Sequence, residues 1–267
     1  MDDLSTIAKT CAPVIPRLYE DAASPVAKEA GVFLGRGGKF LNALLSRPVD
    51  VVSNKLNAFW NSVDAEATER IQRIPPEQRV EPKMGHMIAL YHGLETTVDS
   101  PTMKGLFLNL LQSSFDKNLA SEVLPAYPET LKQMNPDEAK ILCQLYRLGG
   151  QAPIIEARLT QRQNKAHGWR LIQQNFSLLA VETGCQAPQN GAVYVDNLRR
   201  LGLVDITYMA TINDETLYQH IEKYFLNSNK NIQVPENYEI SFERGSIRLT
   251  EFGKGFCKVC AIADAMN

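Results

Sequence analysis

Cys257 and Cys260 form the first pattern in this chain with an obvious chemical use. A C-x-x-C pair serves redox exchange or supplies half of a zinc site. A closed zinc site takes about four ligands, and no second C-x-x-C or histidine pair stands at metal spacing. Phe252, Phe256, Val259, Cys260 and Ala263 instead share one stripe of a terminal helix, which makes Cys260 a core residue. Together with Cys11, Cys143 and Cys185 the cysteines number 5, an odd set without a framework, which suits a reducing compartment. The histidines His86, His92, His167 and His220 are widely separated, and His86 and His92 read as helix-surface residues. Asp116, Glu129, Asp137 and Glu138 are acids that a fold can bring together, but acids near helix starts usually serve as caps and dipole partners. No G-x-S-x-G, H-E-x-x-H or cysteine with a fitting partner is present. The expectation is a protein that is not an enzyme, with no catalytic residue, no metal ligand and no cofactor.

The elements that carry these residues are mostly helical. Near the start, Ser24 before Pro25 suits an N-cap and first helical position. Phe33, Phe40, Leu41, Leu44 and Leu45 then lie along one face, and Val49, Val52, Leu56, Phe59, Trp60 and Val63 continue an amphipathic pattern after Pro48. Gly31, Gly35, Gly37 and Gly38 fall inside the first helix, where each costs about 1 kcal/mol relative to alanine. They suit close packing of another helix or a segment able to rearrange, and they are not a phosphate loop. Phe33, Phe40, Leu41, Leu44, Leu45, Phe59 and Trp60 are therefore the candidate membrane or partner surface, with Arg36, Lys39, Arg47 and Lys55 placed to meet headgroups. The competing reading packs the same side chains against the helices between Gly85 and Phe115.

Pro75 to Pro82 reads as a linker. Met87, Leu90, Tyr91, Leu94 and Val98 mark one helix; Leu106, Leu110, Leu111, Ser114 and Phe115 mark the next, with Asp99-Ser100-Pro101 as the break. Asn135 before Pro136 is an N-cap for PDEAKILCQLYRL. After an irregular, partly helical insert, QNGAVYVDNLRRLGLV reads as a helix stopped at Gly202. Strand-like alternation begins only after Leu203: DITYMATI as one strand, then YEISF and SIRLT paired across Arg244-Gly245, with NDETLYQHIEKYFLNSN as a helical insertion. This order looks like a winged helix. The fold class expected is mainly α, a helical N-terminal region followed by a C-terminal winged-helix-like domain with a small β-sheet. The boundaries are residues 1–74, 75–134 and 135–267.

A winged helix raises DNA as a partner. In the helix ending at Gly202, Tyr194, Val195, Leu198 and Leu201 form the buried stripe, leaving Gln189, Val193, Asp196 and Arg200 opposite. Gln189, Asn190, Arg199, Arg200, Arg244 and Arg248 are the candidate nucleic-acid or partner contacts. Asp196 in the middle of that face opposes phosphate, so support for DNA is weak. The net charge of −2, with acids and bases interleaved over 267 residues, also argues against a protein held on nucleic acid by bulk electrostatics. No apolar run approaches the roughly 18 residues of a spanning helix, and the acidic start MDDLSTIAKT is unlike a secretory signal. The expected location is cytoplasmic, peripheral to the inner membrane where the amphipathic surface engages it.

Several stretches together resemble the Abi-alpha family, bacterial proteins named for abortive infection. They are LYEDAASPVAKEAGVFLG, then IPPEQRVEP, KGLFLNLLQSSFDK and LPAYPETLKQMNPDEAKIL, and finally LRRLGLV with IRLTEFGKGF. The resemblance rests on Pro25, Ala27, Gly31, Ile74, Pro75, Pro82, Phe107, Asn109 to Leu111, Ser114, Asp116, Pro136, Asp137, Leu198 to Leu203, Leu249, Thr250, Gly253 and Phe256. It implies antiphage defence, with a phage component or a partner defence protein as the binding target and a homo-oligomer as a further option. None of these residues carries an implied catalytic role.

Overall fold

A computed structural model describes residues 54–163 and 168–260. Phe33, Phe40, Leu41, Leu44 and Leu45, the Ser24-Pro25 helix start and the glycine cluster all lie outside the described residues.

The molecule is built on one helix. Helix α3 (Pro101–Phe115) starts where Ser100 Oγ accepts the Met103 N–H at 3.3 Å and Pro101 fills the first turn. Its apolar residues run around most of its circumference, from Met103 through Leu106, Phe107, Leu108, Leu110 and Leu111 to Phe115, and all are buried. A helix apolar on every side must sit in the core. Helix α1 (Asn54–Gln72) lays the stripe Trp60, Val63, Ala67 and Ile71 on it, and α2 (Met84–Glu95) adds Met87, Leu90 and Leu94. Gly93 is required at the α2–α3 crossing, because a Cβ there would overlap the Phe107 ring. The linker between α1 and α2 carries the short 3₁₀ turn Pro76–Gln78 and pairs Arg79 with Asp116, bonding Val80 N–H to Phe115 C=O at 2.9 Å.

Two short helices follow, α4 (Ala126–Lys132) and α5 (Pro136–Arg147). The expected Asn135 cap is present as a full capping box, with Asn135 Oδ1 accepting Glu138 N–H at 2.9 Å and Glu138 Oε2 accepting Asn135 N–H at 2.8 Å.

Here the structure departs from the sequence reading. The supposed irregular insert contains β1 (Gln151–Gln161) and β2 (Trp169–Phe176), before α6 (Leu179–Glu182) and α7 (Gly191–Arg200). The alternation is masked because β1 is buried on both faces from Ile154 to Ala157. Pro153 is accommodated in β1 before Ile155, where pairing with β2 begins. Helix α8 (Glu215–Ser228) matches the expected insertion, while the expected strand DITYMATI is shorter than read: β3 spans Val204–Thr207 and residues 208–212 are not strand. The proposed hairpin across Arg244-Gly245 is corrected: β4 (Tyr238–Leu249) runs straight through and pairs with β1 along its whole length. Gly245 is there for space and not for a turn, since a Cβ would overlap the Thr207 carbonyl and press on the Tyr208 ring. The sheet is antiparallel in the order β2-β1-β4-β3.

One face of the sheet packs on α8 through Ile155, Ala157, Tyr218, Ile221 and Phe225. The closing helix α9 (Glu251–Val259) returns to α3 and α5. No helix among the described residues is long and apolar enough to cross a membrane. The fold is mainly helical with a small antiparallel four-stranded sheet.

Candidate contact surfaces

Of the amphipathic candidates, the structure describes two. Trp60 is only 5% exposed and stacks on Tyr91 at 5.1 Å. Phe59 is half-buried and meets Trp60 edge-on at 5.3 Å. Trp60 therefore packs against α2, and Phe59 lies against the same core.

The second surface is the outward side of α7. The helix stops as expected at Gly202, whose φ of 73° only glycine adopts readily. Leu203 N–H reaches Leu198 C=O at 3.0 Å, and Gly202 N–H reaches Arg199 C=O at 2.9 Å, closing a Schellman motif. Tyr194, Val195 and Leu198 face the core, so Val193, Asp196, Arg199 and Arg200 face out, with Gln189 and Asn190 exposed on the turn before. Val193, near the start of α7, is 64% exposed on this face.

The cations nearby are mostly committed. Arg200 donates to Asn197 at 2.9 Å and to Gln133 at 3.0 Å. Arg244 donates to Glu222 at 2.7 Å and Glu215 at 3.0 Å; these carboxylates raise its pKa and tie β4 to α8. Arg248 pairs with Asp205 at 3.0 Å across the β3–β4 ladder. Asp196 accepts from Asn175 Nδ2 at 2.7 Å, and Asn175 holds the Tyr208 hydroxyl. Burial there pushes the Tyr208 phenol up to about 12. The sequence-chosen contacts are thus not one cluster: Gln189, Asn190, Arg199 and Arg200 share the α7 region, while Arg244 and Arg248 belong to the sheet.

Sequence reading missed the sheet face beside β2. There Arg158 lies over the half-exposed Trp169 ring at 4.1 Å, and bonds Glu156 at 2.6 Å and Glu243 at 2.7 Å. The stretch WRLIQQNF does not alternate, so no period of two marks the second strand in the sequence.

The acids singled out have structural partners. Asp116 Oδ1 accepts Asn118 N–H at 2.8 Å, and Glu129 pairs with Lys132 at 2.7 Å. Asp137 is buried and accepts from the N–H groups of Gln186 (3.0 Å) and Ala187 (3.2 Å), from Tyr194 hydroxyl (3.3 Å) and from Lys140 (3.2 Å). Burial pushes its carboxyl up, but these donors outweigh it and hold it below the usual range. Its neighbour Glu138 moves the other way: burial raises it despite the Asn135 and Asn197 bonds. His86, expected on the surface, is buried at the start of α2, where burial and Lys83 lower its pKa. It lies on the same side as Leu90 and Leu94 rather than one residue outside the stripe. Cys257 is buried with its thiol pushed up to about 12, and Cys260 is raised as well. Among the described residues no group of three or more His, Cys, Asp or Glu is arranged to hold a metal.

This architecture, helices around α3 with a small antiparallel sheet, defines a mainly helical protein whose polar groups stitch elements together. The family model for abortive infection alpha matches residues 53–260, and the chain belongs to that family. No curated protein matches. A solved structure of an uncharacterised protein from the hydrocarbon-degrading marine bacterium Alcanivorax borkumensis SK2 is 17% identical, covering 54% of this chain and 96% of that one, with a TM-score of 0.32. A likeness of that size carries no argument.

Proposed function

We propose that this protein acts in antiphage defence of the abortive-infection kind, as a non-enzymatic sensor or effector that works by contact with a phage component or a partner defence protein. Family membership supports the defence role. The observation that carries the contact mode is the outward face of α7, where exposed Val193 sits among Gln189, Asp196 and Arg199 while Arg244 and Arg248 are neutralised by carboxylates. Such a mixed surface suits a protein partner better than a phosphate backbone, which demands several uncommitted cations.

The element order supports a winged-helix reading of this half: α5, β1, α6, α7, β3 and β4, with β4 central between β1 and β3. Strand β2 and helix α8 are then insertions. DNA binding is the alternative use of such a domain, and a salt-dependent duplex shift abolished by Arg200→Glu is what it requires. A structural subunit of a two-component system is another, tested by co-purification with a neighbouring gene's product. The location proposed is the cytoplasm, with inner-membrane contact through Phe33, Phe40, Leu41, Leu44 and Leu45 as a second effector route.

The test is expression in a sensitive bacterium challenged with a diverse phage panel at low and high phage-to-cell ratio. Suicide of infected cells predicts rescue of the culture at low ratio and collapse at high ratio. Survival at both ratios contradicts the abortive mode, and no protection from any phage contradicts defence by this chain alone.

A further inference from the structure

Three helices distant in sequence meet at one buried amide. Asn109, on α3 and 5% exposed, donates from Nδ2 to the Cys260 carbonyl at 2.9 Å, and its Oδ1 accepts from Arg70 of α1. One turn along α3, Ser113 Oγ donates to the Val259 carbonyl at 2.6 Å. Carbonyls in the last turn of a helix lack intrahelical donors, so α3 supplies the cap for the end of α9. The start of α9 is fixed elsewhere: Thr250 accepts Gly253 N–H at 2.9 Å and donates to Gly202 C=O at 2.6 Å, while Gly253 lies against the Leu203 carbonyl. Helix α9 therefore spans from the α7–β3 junction to the α1–α3 contact.

An asparagine amide is planar, with its acceptor and donor ends rigidly opposed. If α1 shifts and Oδ1 follows Arg70, Nδ2 turns away from Cys260. Asn109 is buried, so water cannot readily replace its bond to the Cys260 carbonyl once Nδ2 has turned. We infer that Asn109 is a coupling relay, through which displacement of α1 loosens the final turn of α9. The inference stands on this geometry alone. Under the contact reading the relay also gives a route by which α1 and the α7 surface sense one another.

The test is site-resolved hydrogen exchange on the full chain. Arg70→Met, which removes the donor and keeps the stem, speeds exchange of the Phe256 to Cys260 amides by about tenfold, the scale of one buried hydrogen bond. The β1 and β4 amides stay unchanged. Asn109→Asp keeps an acceptor for Arg70 and loses the donor to Cys260, so it loosens α9 to a similar degree. Adding Arg70→Met to it then produces no further change in α9. Arg70→Lys, a milder change that serves if Arg70→Met does not fold, gives an intermediate rate. An effect of the Arg70 variants confined to α1 and α3 overturns the relay. So do effects on α9 that multiply in the double variant, or equal loosening of β1 and β4.

Discussion

Asp137 shows how an acid that a fold could have brought to a reactive cluster is instead taken up in structure. It is a buried acid beside a tyrosine and a lysine, yet each oxygen is occupied by donors from the Gln186–Ala187 segment, Tyr194 and Lys140. Replacing it with alanine strands those donors and should cost about 2–3 kcal/mol in urea unfolding. The pH dependence has a definite sign. Its pKa is lowered on folding, so its contribution is present above the unfolded pKa and is lost as pH falls through the folded one. Glu138, raised by burial, acts oppositely: its contribution is greatest below its unfolded pKa and lost as pH rises through the folded one. Between about pH 6 and pH 3, Asp137→Asn should flatten the acid loss of stability and Glu138→Gln should steepen it. Identical slopes for both variants contradict the assignment.

Among the elements, the glycines separate packing from propensity. Gly93→Ala forces a Cβ into the Phe107 ring and Gly253→Ala forces one into the Leu203 carbonyl; each should cost at least about 1–3 kcal/mol. Gly105, within α3, has open space at its Cβ, so Gly105→Ala should stabilise by about 0.5–1 kcal/mol. Thermal melts of the three variants check this, and destabilisation by Gly105→Ala contradicts it. Helices α3, α5, α8 and α9 carry local caps: Ser100, Asn135, Asp214 and Thr250 each accept a first-turn N–H, so a short stretch of sequence is enough to mark their starts. The β1–β2 hairpin was not legible in this way, because β1 is buried on both faces from Ile154 to Ala157 and loses the period of two there. The Arg244-Gly245 turn was misread because a glycine chosen for a neighbour's close approach looks the same in sequence as one chosen for a turn.

For the whole molecule, the helical character, the α7 stop and the family were readable from residues alone, whereas the joints between elements were not. The Asn109 contact spans 151 positions to Cys260, and no local pattern announces it. The same holds for the candidate surfaces: Trp60 turned inward onto Tyr91, and Arg244 onto two glutamates, through partners far away in sequence. Among the described candidates the α7 face is outward and mixed in chemistry, and the proposed contact mode depends on it. The most direct measurement is phage protection by wild type, by Val193→Glu with Arg199→Glu, and by Phe40→Asp with Leu44→Asp, each variant confirmed folded by its melting transition. The account predicts that the α7 variant loses protection. Full protection by the α7 variant, with loss in the Phe40 and Leu44 variant, contradicts it and moves the active surface to the N-terminal region.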